Sequence, residues 1–149
     1  MSTSAALMEG QVVGKSPSKG LNIALWIVQG LLALAFGMAG VFKLVTPLPQ
    51  LMEKMTWVAA VGPAVVRFIG ASELLGALGM VLPAVTRIRP SLTALAGAGL
   101  VLVMLLAMAF HVSRGEYFAL PTNLALGSLA AFVAWGRFRK APITPRGQA

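Results

Sequence analysis

The sequence predicts an all-α membrane protein, a bundle of four transmembrane helices with a short interfacial helix between spans one and two. Three observations carry this. The chain has 149 residues, 58% of them hydrophobic and only 11% charged, against about 25% charged in soluble globular domains; its mean hydropathy is +0.84. Its apolar residues gather into four runs, each near the roughly 20 helical residues that cross a hydrocarbon core of about 30 Å. Most of its charges lie in the tails and connections between those runs.

The elements follow in order. Residues 1–20 are rich in Ser, Gly and Lys without periodicity and read as a disordered cytoplasmic tail. Span one covers about residues 21–44; it is too long for a signal-peptide core of roughly 7–15 residues and is retained. Pro47 and Pro49 break it. From Gln50 to Ala60, Leu51, Met52, Met55 and Val58 share a helical face with Glu53 and Lys54 turned away, a pattern suited to a helix lying in the interface; a loop with one helical turn is the alternative. Span two opens at Pro63, a favoured first helical position, and runs over residues 63–85. Span three covers 91–112 and span four 121–138, with residues 139–149 left as a basic, proline-broken cytoplasmic tail. The segment 21–138 is one membrane domain without internal repeat.

The formal charge of +8 could suggest nucleic acid, but that needs a basic patch on a soluble face, and none is available. The basic residues instead orient the chain. Eight (Lys15, Lys19, Arg87, Arg89, Arg137, Arg139, Lys140, Arg146) fall on the side of the termini, and three (Lys43, Lys54, Arg114) on the other, with Arg67 inside a span. The positive-inside rule then places both termini in the cytoplasm of a multi-pass protein of the cell (inner) membrane. The expected partners are the lipid bilayer and other membrane subunits or further copies of the chain.

Polar residues inside the spans hold the functional information. Glu73 lies ten residues beyond Pro63, about 15 Å along a helix and so near the midplane, where an ionisable group costs roughly 2.5–3.5 kcal/mol or more. Gly70, Gly76 and Ala77, at i−3, i+3 and i+4, turn its face toward a neighbouring helix. Arg67, Lys43, His111 and Asn123 lie toward the outer ends of their spans. Two readings are open: a polar pocket for ligand binding or proton exchange, and a hydrogen-bond network that only fixes helix packing.

The segments GVFKL (40–44), GASELLGALGMVLP (70–83), AFHVSRGE (109–116) and PTNLAL (121–126) resemble the DoxX-like membrane proteins, over about residues 21–138. The resemblance implies a four-helix membrane bundle, a link to membrane redox complexes, and Lys43, Glu73, His111 and Asn123 as the residues carried over, with Arg67 less firmly matched. It fixes architecture better than chemistry.

The composition restricts any redox role. With no cysteine and one histidine, the chain offers no Fe–S ligation and no bis-His haem site. Met104 and Met108, at i−7 and i−3 from His111, suit packing better than ligation. No cofactor is expected to be held covalently or by metal ligands; a quinone is the possible one, with Glu73 or His111 exchanging its proton. The chain therefore reads as an accessory subunit of a membrane redox assembly without catalysis of its own, or as a stand-alone small-molecule carrier built around Glu73.

The orientation can be checked with single cysteines at Ser18, Ser91 and Ser113 in this cysteine-free chain. Ser113→Cys is expected to react with an impermeant reagent from outside, and Ser18→Cys and Ser91→Cys only after permeabilisation. The reverse pattern would invert the topology.

Overall fold

The computed structural model describes residues 18–147. Most of the expected N-terminal tail therefore lies outside the described residues. The helices are α1 (Lys19–Val45), α2 (Leu48–Lys54), α3 (Val58–Thr86), α4 (Ser91–Ser113) and α5 (Leu120–Trp135). A 3-10 turn at Tyr117–Ala119 leads into α5, and a π-helical turn at Gly136–Lys140 follows it. Among the described residues no strand occurs. Four helical stretches, Lys19–Val45, Val58–Thr86, Ser91–Ser113 and Tyr117–Lys140, are long and apolar enough to cross a membrane.

Local chemistry sets the helix limits. Ser18 caps α1, its Oγ accepting from the amide of Leu21 at 3.3 Å. The short helix begins earlier than residue 50 and ends at Lys54, not near residue 60. Pro49 stands in its first turn, where a missing N–H costs nothing, so here proline starts a helix as well as ending one. Met55 then leaves helical space, at φ −135° and ψ 99°. Within α3, Gly62 takes φ 77° and ψ 168°, a left-handed setting that disfavours any residue with a Cβ. The helix resumes at Pro63.

α1 packs along α3, α3 along α4 and α4 along α5, and smaller contacts between α5 and α1 close the ring. The core runs through Leu25, Leu32, Phe36, Ala77, Met80, Leu100, Met104, Ala130 and Val133. Less than a third of the apolar window of each spanning helix is buried in the bundle, and Phe68, Leu75, Met38 and Leu106 point outward. Such a surface is stable only against lipid. A second small core of Leu51, Val58 and Val66 packs α2 against α3.

Residues 141–147, expected to be part of a disordered tail, turn back onto the bundle. Ala141 is buried. Arg87, left-handed at the end of α3 (φ 59°), donates from Nε to the carbonyl of Thr144 at 2.9 Å and accepts from the amide of Arg146 at 3.0 Å. Isolated hydrogen bonds to backbone groups of the tail carry no hydropathy signal.

The closest backbone approach is between α1 and α3. A Cβ on Gly40 would lie 2.7 Å from the carbonyl oxygen of Gly70, and one on Gly70 would lie 2.9 Å from Cβ of Lys43. Neither helix can retreat without parting the pair. Gly70→Ala is therefore expected to lower stability by about 1–3 kcal/mol, while Leu78→Met on the lipid face should change it by less than about 0.5 kcal/mol. Thermal unfolding in mild detergent compares them; equal midpoints would deny the close crossing.

Candidate functional site

The glycine crossing positions the charged site. Lys43 and Glu73 each follow their crossing glycine by three residues, about one helical turn, so they meet on the facing sides of α1 and α3. The Lys43 ammonium donates to both oxygens of Glu73, at 3.0 Å and 2.7 Å. Lys43 is 7% and Glu73 5% exposed, so each charge has the other in place of water. Glu73 stands midway along α3 but level with a residue two positions from the end of α1. α1 is thus short on this side, and α2 with its connections fills the space above it.

Arg67 does not join the carboxylate. Its guanidinium donates to the backbone carbonyl of Lys43 and to that of Thr46 at 2.9 Å. The helical partner of the Lys43 carbonyl would be the amide of residue 47, which is proline and has no N–H. Arg67 satisfies that orphan acceptor and places a cation at the negative end of the α1 dipole.

His111 ends α4 and turns Nδ1 to Glu116 Oε2, at 2.7 Å. Arg114 Nε donates to the other oxygen at 2.9 Å. Gly115, at φ 71°, lets the chain double back, and the amide of Glu116 donates to the carbonyl of His111 at 2.9 Å. A carboxylate only accepts, so Nδ1 carries the proton and Nε2 of a neutral His111 is left for a ligand. Asn123, near the start of α5, has a buried Nδ2 without a partner among the described residues.

Lys43, Glu73, His111 and Asn123 all line one cavity of about 430 Å³. Its remaining wall is mostly apolar, with Trp57, Phe68, Met104 and Phe110 among the contributors. Four of the five polar residues singled out in the sequence thus share this cavity, and Arg67 stands apart as the clamp on α1. The arrangement brings a carboxylate, an ammonium and an imidazole to the wall of one largely apolar space.

Sequence reasoning missed Glu116, which lies five positions from His111, a spacing that no straight helix brings together; Gly115 was its one signal. It also missed a second polar knot at the other end. Arg137, 4% exposed, donates from Nε to Gln29 Oε1 at 2.6 Å and from Nη1 to Asn22 Oδ1 at 2.7 Å. Gln29 in turn donates to the carbonyl of Met80 at 2.8 Å. A glutamine and an asparagine inside the apolar run of span one were the available signs.

These features define an integral membrane four-helix bundle with a buried ion pair in the wall of an apolar cavity. The sequence model of the DoxX-like family matches residues 27–133, and the chain belongs to that family. No curated protein and no solved structure matches it.

Glu116 gives the site a pH signature. The hydrogen bond from His111 holds its carboxyl below the ordinary value; burial opposes this, and the bond and charge of Arg114 add to the lowering. A lowered carboxyl stabilises the closed loop above its ordinary range of about 4.3, and that contribution is lost as pH falls through the lowered value. 13C NMR of labelled Glu116 should show its titration moving upward in His111→Leu. An unchanged midpoint would separate the two residues.

Proposed function

We propose that this DoxX-like protein is an accessory subunit of a membrane redox assembly that binds the headgroup of a quinone-type molecule in the cavity beside Glu73. The observation that carries the reading is the donor set: an Asn123 amide without a partner among the described residues and the Lys43–Glu73 pair border the same largely apolar space. A quinone matches this, having a flat apolar body with carbonyl oxygens that accept from donors such as the Asn123 amide and the Lys43 ammonium. Its reduction takes up protons as well as electrons, and Glu73 and His111 are the groups able to pass protons. The electrons come from a partner, because the chain has no cysteine and only one histidine with which to hold a metal centre of its own.

A stand-alone carrier is the second reading. It is favoured by the lining of the cavity, to which α1, α3, α4 and α5 of one chain each contribute. Recovery of stoichiometric membrane partners after mild extraction favours the subunit; uptake by the isolated chain with no recovered partner favours the carrier.

Trp57 lines the cavity, whereas Trp26 packs against Arg137 at the other end. In a variant with Trp26→Phe and Trp135→Phe, a short-chain ubiquinone analogue should quench Trp57 fluorescence saturably in nanodiscs. Ala107→Phe, which fills the cavity, and Asn123→Leu, which removes the donor, should each weaken binding about tenfold or more, the effect of roughly 1.4 kcal/mol. Linear, non-saturating quenching identical in all three proteins would refute a built site.

A further inference from the structure

The two ends of the bundle are unequal in charge. Among the described residues the carboxylates are Glu53, Glu73 and Glu116, all in or near the half of the bundle that holds α2 and the α4–α5 loop. The opposite end carries Lys19, Arg87, Arg89, Arg137, Arg139, Lys140 and Arg146, and no described residue there is acidic. Most of these cations are exposed, but Arg137 is buried.

A buried guanidinium without an anion is costly, and its protein partners here are neutral. Gln29, Asn22 and the carbonyl of Ala141 accept from Nε and Nη1, Trp26 offers its ring face at 5.2 Å, and Nη2 is buried with no partner among the described residues. Hydrogen bonds to neutral groups leave the net charge uncompensated. Arg137 also forms part of the wall of a cleft of about 520 Å³ between the start of α1, the end of α3 and the returning tail. Arg87 lines the same cleft, with one side-chain bond, from Nε to Thr144.

We propose that this cleft is a site for a phosphate-type anion, supplied by the headgroup of an anionic phospholipid or by free phosphate, with Arg137 and Arg87 as its cationic walls. Asn22 and Trp26, also on the cleft, give the anion a polar and an amphipathic edge, the pairing found where headgroups meet a helix end. Planar guanidinium groups suit phosphate oxygens better than ammonium groups do, because each can donate two parallel bonds. The site is separate from the Glu73 cavity, and neither proposal depends on the other.

The test uses the full chain in nanodiscs of phosphatidylcholine alone, in nanodiscs of roughly four parts phosphatidylcholine to one part phosphatidylglycerol, and in phosphatidylcholine with added inorganic phosphate. The melting midpoint is measured in each, and native mass spectrometry reads retained phosphatidylglycerol. A rise of about 3 °C or more with phosphatidylglycerol alone identifies the lipid, and a similar rise with inorganic phosphate identifies the free ion. Either rise must vanish in Arg87→Gln, which loses a cationic wall, and in Thr144→Glu, which brings its own carboxylate to the cleft. Arg137 itself is left intact because it ties α1 to the tail. No rise with either anion, or a rise that survives both substitutions, overturns the site.

Discussion

The Lys43–Glu73 ion pair is the constraint from which the rest of this half of the bundle follows. Either charge alone within a bilayer costs roughly 2.5–3.5 kcal/mol or more, so the two must meet. They can meet at 2.7 Å only because Gly40 and Gly70 bring their helices nearly into backbone contact one turn away. That crossing sets the level of α1 against α3 and leaves α1 short on this side. The shortfall has consequences. Pro47 deprives the Lys43 carbonyl of its helical donor, Arg67 takes the vacant position, and α2 covers irregular backbone that would otherwise meet lipid.

The cavity is the other result of this geometry. It is lined by Phe68 of α3 and by Met104 and Phe110 of α4 as well as by the pair itself. The ion pair is therefore reachable from an apolar space and is not sealed between helices. A sealed pair can only hold a structure together; one on a cavity wall can also exchange a proton or a hydrogen bond with a guest. His111, oriented by Glu116, and Asn123 face that space from α4 and α5. At the opposite end Arg137 has neutral partners among the described residues, so the two polar tiers differ in kind: one is neutralised internally and the other asks for an outside anion.

Much of the architecture was legible because hydrocarbon thickness imposes a length, and long apolar runs reveal it. The inward turn of Glu73 could be read from Gly70 and Ala77, small residues that give a neighbouring helix room. Gly76, one residue before Ala77, instead faces Leu100 of α4, a split between two partner helices that helical spacing alone does not resolve. Lys43 was one of four candidate partners for Glu73, along with Arg67, His111 and Asn123; which of them bonds it was not legible, since the register of α1 on α3 depends on two glycines 30 positions apart. Gln29 and Arg137 are 108 positions apart, and the π-helical turn that tucks Arg137 inward has no pattern in the sequence. The returning tail was missed for a similar reason, as its hydrogen bonds are made by backbone groups.

The central claim is that the two charges depend on each other, and a double-mutant cycle on Lys43→Met and Glu73→Met measures this directly. Each single substitution strands one buried charge and should cost about 3–5 kcal/mol, whereas the double variant, with no charge to strand, should recover most of that loss. Reversible unfolding in mixed detergent micelles gives the energies. A double variant as destabilised as the sum of the two singles would show that Lys43 and Glu73 act independently, and the glycine crossing would then lose its reason.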